Sequence, residues 1–387
     1  MYNILNYGSM VSDPVRMNAY ADALRRVVTP NSVVLDIGTG PGFFAILACQ
    51  LGARRVVAIE PDNVVEIARR VAAANHCADK IEFIQDLSFN VSLAERADVI
   101  VSDLRGVLPW FQKHLPAIID ARERLLAPGG TLIPAQDVVW AALVESAEMY
   151  SSYQDPWFLK PQGIDLAAAS QFAVNLWKKG SEVSPSQFLA EPQLCATLDY
   201  ASLKDVNVSS TMVWTVARPG TAHGMLIWFD TVLSSGIEFS NHPASTRLIY
   251  GNFFSPFSTP IELSAGETVT VDLRATLPGD DYVWIWKTTV STGDPARVRA
   301  EWNQSTFFAA PLSPEQLATR SENYTAHLSE EGLIDRAVLD WMDGKRTSGQ
   351  ISELLREKFP SRFATLHDAL AKVAELAFRY KPRAKSI

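Results

Sequence analysis

Between Ser32 and Ile133 the chain alternates short apolar runs with amphipathic stretches, a rhythm that few folds can use. VVLDI, VVAIE, IEFIQ and ADVIVSD have the length and β-branched content of buried strands. FFAILACQLGA, NVVEIARRVAAANH and LPAIIDARERLLAPGG carry apolar residues at helical spacing between them. Strands that are apolar on both faces need cover on both faces, so the alternation predicts an α/β domain, doubly wound and Rossmann-like, over 1–134.

The pattern changes at Pro134. VVWAALVES, TMVWTVAR, GMLIWFDTVL, TVTVDLRAT and YVWIWKTTV are rich in Val, Thr and aromatics with near-alternating polarity. They predict an antiparallel β-barrel or sandwich over about 135–310. After PLSPEQLATRS, the stretches GLIDRAVLDWMD, SGQISELLREKF and LHDALAKVAELAFRY return to helical spacing and predict a small helical domain at 311–387. A chain of 387 residues exceeds one ordinary hydrophobic core, in keeping with several domains.

Composition narrows the function. With 47% hydrophobic and 20% charged residues the chain has a globular balance rather than a disordered one. No apolar run reaches the roughly 18–20 residues of a bilayer span, and MYNILNYGSM lacks a basic stretch leading into an apolar one, so a cytoplasmic protein without membrane contact is expected. The formal charge of −8 opposes a phosphate backbone, so no nucleic-acid partner is expected. Cys49, Cys77 and Cys195 are odd in number and widely spaced, which reads as reduced core thiols, with no zinc spacing and no metal site.

The most informative local signal is the turn after VVLDI, where Gly38, Gly40 and Gly42 stand as G-T-G-P-G before a helix. Glycine suits a sharp strand-to-helix turn that a ligand approaches closely. A dinucleotide fingerprint needs a third glycine at Phe43, and a P-loop needs a Lys-Ser or Lys-Thr pair that is not there, so the turn suits a nucleoside without phosphates. Glu60 ends the next strand about 20 positions on, where a carboxylate can accept from both ribose hydroxyls.

VLDIGTGPGFFAILACQLGARRVVAIE resembles the S-adenosylmethionine-binding core of class I methyltransferases, and its GAR-x-V-x-x-IE ending resembles the protein arginine methyltransferases. YGSMVSDPVRMNAY, with Tyr7, Met10, Asp13, Arg16 and Tyr20, has the spacing of the helix that folds over the cofactor in that family. The resemblance implies that Arg16 binds the methionyl carboxylate, that Met10 lies near the sulfonium, and that Asp36 and Gly38 serve the ammonium and main-chain contacts. Tyr7, Gly40, Glu60, Pro61 and Ser102 complete the implied cofactor set. The adenine contact falls to Gln85, Asp86 or Leu87, among which the sequence does not choose.

In that family a loop with two glutamates grips the guanidinium of the methyl acceptor. The matching loop is SDLRGVLPWFQKHL, with Asp103 at the first position and Gln112 at the second. The first change shortens the side chain and the second removes a charge, so arginine as the acceptor is not inherited from the resemblance. Arg105, His114 and Tyr250 are further candidates for the acceptor site. His114 reads either as a base facing the pocket or as a solvated residue ahead of a helix starting at Leu115. The family's Thr-His-Trp triplet gives way to Leu248, Ile249 and Tyr250, with Asn252 as a polar substitute nearby.

LLAPGGTLIPAQ and HGMLIWFDTVL extend the resemblance into the family's β-barrel, to about residue 305. EMYSSYQDPWFLKPQGIDLAAASQ is the counterpart of its dimerisation arm, which makes a homodimer an expectation. The C-terminal pattern resembles winged-helix or PqqD-like modules, where peptide or carrier presentation fits better than DNA reading. Ile351, Leu354, Leu355 and Phe359 read as its core, and KPRAK as a solvated tail. The expected activity is methyl transfer from S-adenosylmethionine to a nitrogen or oxygen acceptor in a peptide, amino acid or small molecule. The competing reading is a non-catalytic scaffold that binds the cofactor and a protein or peptide partner.

Overall fold

A computed structural model describes residues 3–180, 183–293 and 297–380. The chain divides into two compact units, Met1–Pro311 and Leu312–Ile387. Two helices open the first, α1 (Ile4–Val11) and α2 (Pro14–Val27). The α/β layer follows as β1 (Val33–Ile37), α3 (Phe43–Gln50), β2 (Arg55–Ile59), α4 (Val65–Ala74), β3 (Ile81–Ile84), β4 (Ala97–Ser102), α5 (His114–Arg124) and β5 (Leu126–Ile133). The five strands form a parallel sheet in the order β3-β2-β1-β4-β5. β1 is buried at every position, as a central strand covered on both faces must be.

The LLAPGG segment does not end a helix, as its sequence suggested. α5 stops at Arg124, and β5 already runs through Ala127-Pro128-Gly129-Gly130, with Gly129 at a φ of 76°. Proline and paired glycines are poor in a helix interior, and edge position in the sheet tolerates them.

Past a cis Ile133–Pro134 bond, the chain forms an antiparallel layer of two sheets. In chain order the elements are β6 (Gln136–Val144), α6 (Ala147–Phe158), α7 (Ser170–Ala173), β7 (Lys178–Gly180), β8 (Gln193–Asp199), β9 (Val208–Thr215), β10 (Gly220–Ser234), β11 (Ile237–Ser240), β12 (Asn252–Leu263), β13 (Thr268–Thr276), β14 (Val283–Thr292) and β15 (Arg297–Ser305). One sheet runs β7-β12-β10-β6-β8 with β11 on β10, the other β15-β14-β13-β9. β10 is buried along both faces from Ala222 to Phe229. Met225, Ile227 and Phe229 join the main core, whereas Leu226 and Trp228 pack with Tyr153 of α6 on the opposite face. The arm expected from EMYSSYQDPWFLKPQGIDLAAASQ is this helical insertion between β6 and β7.

The second unit carries α8 (Pro314–Ala318), α9 (Glu330–Trp341), α10 (Ser348–Lys358) and α11 (Leu366–Tyr380). Ile334 and Val338, Ile351 and Leu355, and Ala369, Val373 and Leu376 recur at helical spacing and close one small core. Phe359 packs against it partly buried. Among the described residues of this unit there is no strand, so the hairpin wing of a winged helix is not part of it. KPRAK lies outside the described residues. All three cysteines are free and buried.

Candidate functional site

The strand order reverses between β1 and β4, whose ends meet as the pair Ile37 and Ser102. Crevices at such a switch point, outside the carboxyl ends of the strands, are where open α/β sheets bind ligands. Three segments with chemical groups converge there: the glycine turn after β1, Glu60 after β2 and Asp103 after β4.

The turn needs its glycines. Gly38, Gly40 and Gly42 have φ of 73°, 52° and 91°, a region that side chains with a Cβ rarely enter. A Cβ on Gly40 would come within 2.9 Å of Cε1 of Tyr7, so α1 lays an aromatic ring over the turn. Buried Glu60 accepts the Gly40 N–H at 3.0 Å on one oxygen and the Asp62 N–H at 3.0 Å on the other. Burial raises its carboxyl above the ordinary value against those two donors. Asp36 is fully buried, and one oxygen accepts from Thr39 Oγ1 at 2.6 Å and the Ala45 N–H at 3.0 Å. Its other oxygen, Oδ1, has no partner. Burial pushes this carboxyl up to about 7, outweighing both hydrogen bonds. An orphaned buried carboxylate oxygen beside a bare-backbone turn fits a cationic, hydrogen-bonding ligand such as an ammonium.

Asp13 organises the other wall. One oxygen caps α2 by accepting the Arg16 N–H at 3.1 Å, and the other accepts the Ile249 N–H at 2.7 Å from the loop before β12. Arg16 Nε donates to Asp103 Oδ2 at 2.5 Å and to the Tyr250 hydroxyl at 3.1 Å, while Nη1 donates to the Met10 carbonyl at 3.2 Å. The Tyr250 hydroxyl donates to the same Asp103 oxygen at 2.5 Å. From behind, Arg105 donates to Asp103 Oδ1 at 3.2 Å, to Asp137 Oδ1 and Thr231 Oγ1 at 2.7 Å each, and to the Tyr20 hydroxyl at 2.6 Å. Phe229, Phe239 and Tyr250 surround its Cζ at 5.1, 5.6 and 5.5 Å from their ring centres.

Burial opposes ionisation of Asp103, yet Arg16, Arg105 and the Tyr250 hydrogen bond outweigh it and hold the carboxyl down at about 2. Burial, reinforced by Asp103, raises the Tyr250 phenol well above its usual range, so it stays a neutral donor. His114 opens α5, buried, with Nε2 at 3.2 Å from the Tyr200 hydroxyl and Nδ1 unpartnered. It is therefore not the solvated residue the sequence allowed. Burial and then Arg105 push it down to about 3, which keeps the imidazole neutral and a feeble base.

Gln112 is exposed on the loop at a φ of 44°, while Asp103 is enclosed. Asn252 is spent on structure, with Nδ2 donating to the Asn241 carbonyl. Ser102 is buried; its carbonyl accepts from Tyr20 at 3.3 Å and its hydroxyl has no partner. At the rim, Pro61 is exposed, Asp86 accepts the Leu87 N–H and Asn90 Nδ2 at 2.7 Å each, and Leu87 is exposed. Gln85 instead donates to Asn63 Oδ1 at 2.9 Å. Sequence reasoning missed Asp137, Thr231 and Tyr200, which tie Arg105 and His114 together through the 2.6 Å Tyr200–Asp137 bond. The one available signal was a charged residue, Asp137, beside the apolar VVWAALV run. Among the described residues no three or more His, Cys, Asp or Glu gather as a metal set, and no helix is long and apolar enough to cross a membrane.

Residues 20–135 match the family Ribosomal protein L11 methyltransferase (PrmA), and residues 136–279 match the Arginine methyltransferase oligomerization subdomain. The chain is 28% identical over 331 residues to probable protein arginine N-methyltransferase 6 of Arabidopsis thaliana, covering 83% of this chain and 72% of that protein. It is 29% identical over 276 residues to the arginine N(omega)-methyltransferase of Streptomyces achromogenes subsp. streptozoticus, covering 68% and 74%. Against protein arginine N-methyltransferase PRMT10 of Oryza sativa subsp. japonica it is 41% identical over 139 residues, 35% of this chain and 37% of that one. The matched share of these relatives thus runs from 37% to 74% of their length. In fold, the chain is similar to the structure of Arabidopsis thaliana protein arginine methyltransferase 10, with a TM-score of 0.68 and 22% identity over 79% of this chain and 98% of that one. The PRMT1 enzyme-prozyme complex of Trypanosoma brucei gives the same TM-score at 21% identity, over 77% and 96%.

Proposed function

Because the chain belongs to the protein arginine methyltransferase-like class I enzymes that use S-adenosylmethionine, we propose that it methylates a nitrogen or oxygen atom of a peptide, amino acid or small molecule. The observation that carries this reading is the orphaned Oδ1 of Asp36 beside the glycine turn, with Glu60 closing the far side. When bound, the cofactor supplies an electrophilic methyl group on a sulfonium whose leaving group is a neutral thioether.

The residues divide the work by charge. Arg16, fixed on α2 by Asp13, holds the methionyl carboxylate, and Asp36 with the Gly38 main chain holds the ammonium. Glu60 accepts from the ribose hydroxyls beside Gly40 and Pro61, while Asp86 and Leu87 meet the adenine. Tyr7 and Met10 cover the turn from α1 and exclude water from the sulfonium end, and Ser102 lies at its floor. Asp103 and the Tyr250 hydroxyl line the acceptor side, with Gln112 at its exposed edge. His114 positions Tyr200 rather than removing a proton. The arm bearing α6 and α7 exposes Phe158, Leu159, Ile164 and Leu166, which supports a homodimer closed by this insertion.

Calorimetric titration with S-adenosylhomocysteine tests the cofactor site. Micromolar-range binding that Glu60→Ala abolishes supports it, whereas a native chain that does not bind sinks the reading and leaves a different role for the fold.

A further inference from the structure

The rim loop that follows β3 is shaped from within and held from outside. It runs from Gln85 to Val91 around a 3₁₀ turn at Ser88–Asn90. Its own bonds are short-range. Asp86 Oδ1 accepts the Leu87 N–H and Asn90 Nδ2, the Asn90 N–H donates to the Leu87 carbonyl at 2.9 Å, and the Val91 N–H donates to the Ser88 carbonyl at 3.1 Å. Leu87 and Phe89 are exposed while Ser88 and Val91 are buried, so one side of the turn meets solvent and the other meets the domain. Bonds between near neighbours define the form of a turn but not where it stands.

Arg124 supplies the attachment. It is the last residue of α5, a helix rooted in the core by Leu115, Ile118 and Ala121. Nη1 donates to the Val91 carbonyl at 2.9 Å and Nη2 to the Ser88 carbonyl at 3.0 Å. Asp120 of the same helix accepts from Nε and Nη2 at 2.7 Å each and aims the guanidinium. As a salt bridge, with side chains 37% and 23% exposed, this pair contributes little. As a planar fork on two carbonyls it fixes both the place and the tilt of the turn, which the point charge of a lysine does not. Arg122 on the same helix is the contrast, since it donates to the carbonyls of Tyr200 at 2.9 Å and Leu203 at 2.6 Å, between β8 and β9.

We propose that Arg124 is a positioning residue for the base of the cofactor: by fastening Ser88 and Val91 to α5, it holds Asp86 and Leu87 where an adenine meets them. This deepens the methyltransferase reading and rests on it. Without the fork the loop keeps its internal bonds but samples other placements, and a ligand then has to order it on binding. That penalty falls on the base. The groups held by Arg16, Asp36 and Glu60 sit on other segments and do not feel it. The signature is therefore a lost preference for a ligand that carries a base, not a general loss of binding.

The test uses the full chain and two ligands, S-adenosylhomocysteine and S-ribosylhomocysteine, which is the same molecule without its base and is read by displacement of the first. In Arg124→Met, S-adenosylhomocysteine is expected to weaken by about fivefold or more while S-ribosylhomocysteine changes by less than about twofold. In the ligand-free variant, amide exchange is expected to quicken at 86–91 with β1 and β4 unchanged, which also shows that the domain is folded. Parallel losses for both ligands, an unchanged affinity for S-adenosylhomocysteine, or unchanged exchange in the loop each overturn the inference and leave the cofactor reading standing. Arg122→Met removes a comparable arginine from the same helix and is expected to keep the native affinities; a loss equal to that of Arg124→Met counts against a role special to Arg124. Arg124→Lys keeps a cation beside Asp120 without the fork and is expected to bind as weakly as Arg124→Met, so full recovery by lysine also overturns it. Failure of the unaltered chain to bind S-adenosylhomocysteine removes the methyltransferase reading itself and the inference with it.

Discussion

Arg105 donates to Asp137 at 2.7 Å with neither side chain reaching solvent, so the loop after β4 and the first antiparallel strand are joined by a fully enclosed ion pair. Such a pair contributes little net stability while intact, because both ions have left water, but removing one partner strands the other.

Arg105→Met alone is accordingly expected to cost about 3–5 kcal/mol, and adding Asp137→Asn to recover much of it. Thermal unfolding of the single and paired variants reads this directly. Equal loss in both would mean that packing of the guanidinium against Phe229 and Phe239, not charge, dominates.

Asp103 gives an acid dependence with a defined sign. Its carboxyl sits near 2 in the folded chain and near 3.8 ordinarily, so the folded state favours the ionised form. The stabilisation, on the order of 2 kcal/mol, is complete above the ordinary value and fades as pH falls from about 4 to about 2. Asp103→Asn is expected to be less stable at neutral pH and to show a shallower loss across that window in a denaturant series. A parallel loss in both proteins would contradict the assignment.

Asp36 runs the other way. Burial raises it to about 7, so folding favours the protonated form and the ligand-free chain loses stability as pH climbs from about 4 through 7. A bound ammonium favours the carboxylate instead. S-adenosylhomocysteine binding at about pH 6 should therefore release close to one proton, with affinity rising toward pH 7 and levelling above it. Calorimetry in buffers of different ionisation enthalpy measures the proton, and Asp36→Asn should abolish it. Undiminished release in that variant would place the proton elsewhere.

The arm supplies a prediction about assembly. Leu159 and Ile164 are 74% and 61% exposed, far more than single surface apolar residues need to be in one short insertion. Leu159→Glu with Ile164→Glu should convert a dimer to a monomer in sedimentation velocity. A native chain already monomeric at micromolar concentration would remove the dimer from the proposal.

What could be read from the sequence was what adjacent residues decide. Gly38, Gly40 and Glu60 signal a turn and its carboxylate within one strand–helix–strand unit, and the structure joins Gly40 to Glu60 directly. β1 to β4 and, in the second layer, β6, β9, β10, β13 and β14 were likewise legible from local pattern, whereas β7, β8, β11, β12 and β15 carried no such signal. Asp103, Arg105 and Tyr250 were singled out as residues, but their pairing was not, because contacts such as Tyr250 to Asp103 and Arg105 to Thr231 join distant segments and leave no periodic trace. His114 looked titratable by residue type alone, whereas its enclosure beside Tyr200 and Arg105 takes that away. At LLAPGG, apolar spacing continued a helix on paper, whereas α5 stops at Arg124 and Pro128, Gly129 and Gly130 already lie within β5.

α1, the helix whose Tyr7 overlies Gly40, spans eight residues and buries none of them. A helix of about two turns is not self-supporting in water. Its hold on the rest of the chain runs through the Tyr7 ring over Gly40 and the Met10 carbonyl, which accepts from Arg16. Lifting α1 therefore asks only that about two helical turns fray, and it also releases Arg16 from the Met10 carbonyl, so the cover over the turn and the arginine beside Asp103 are loosened by one event.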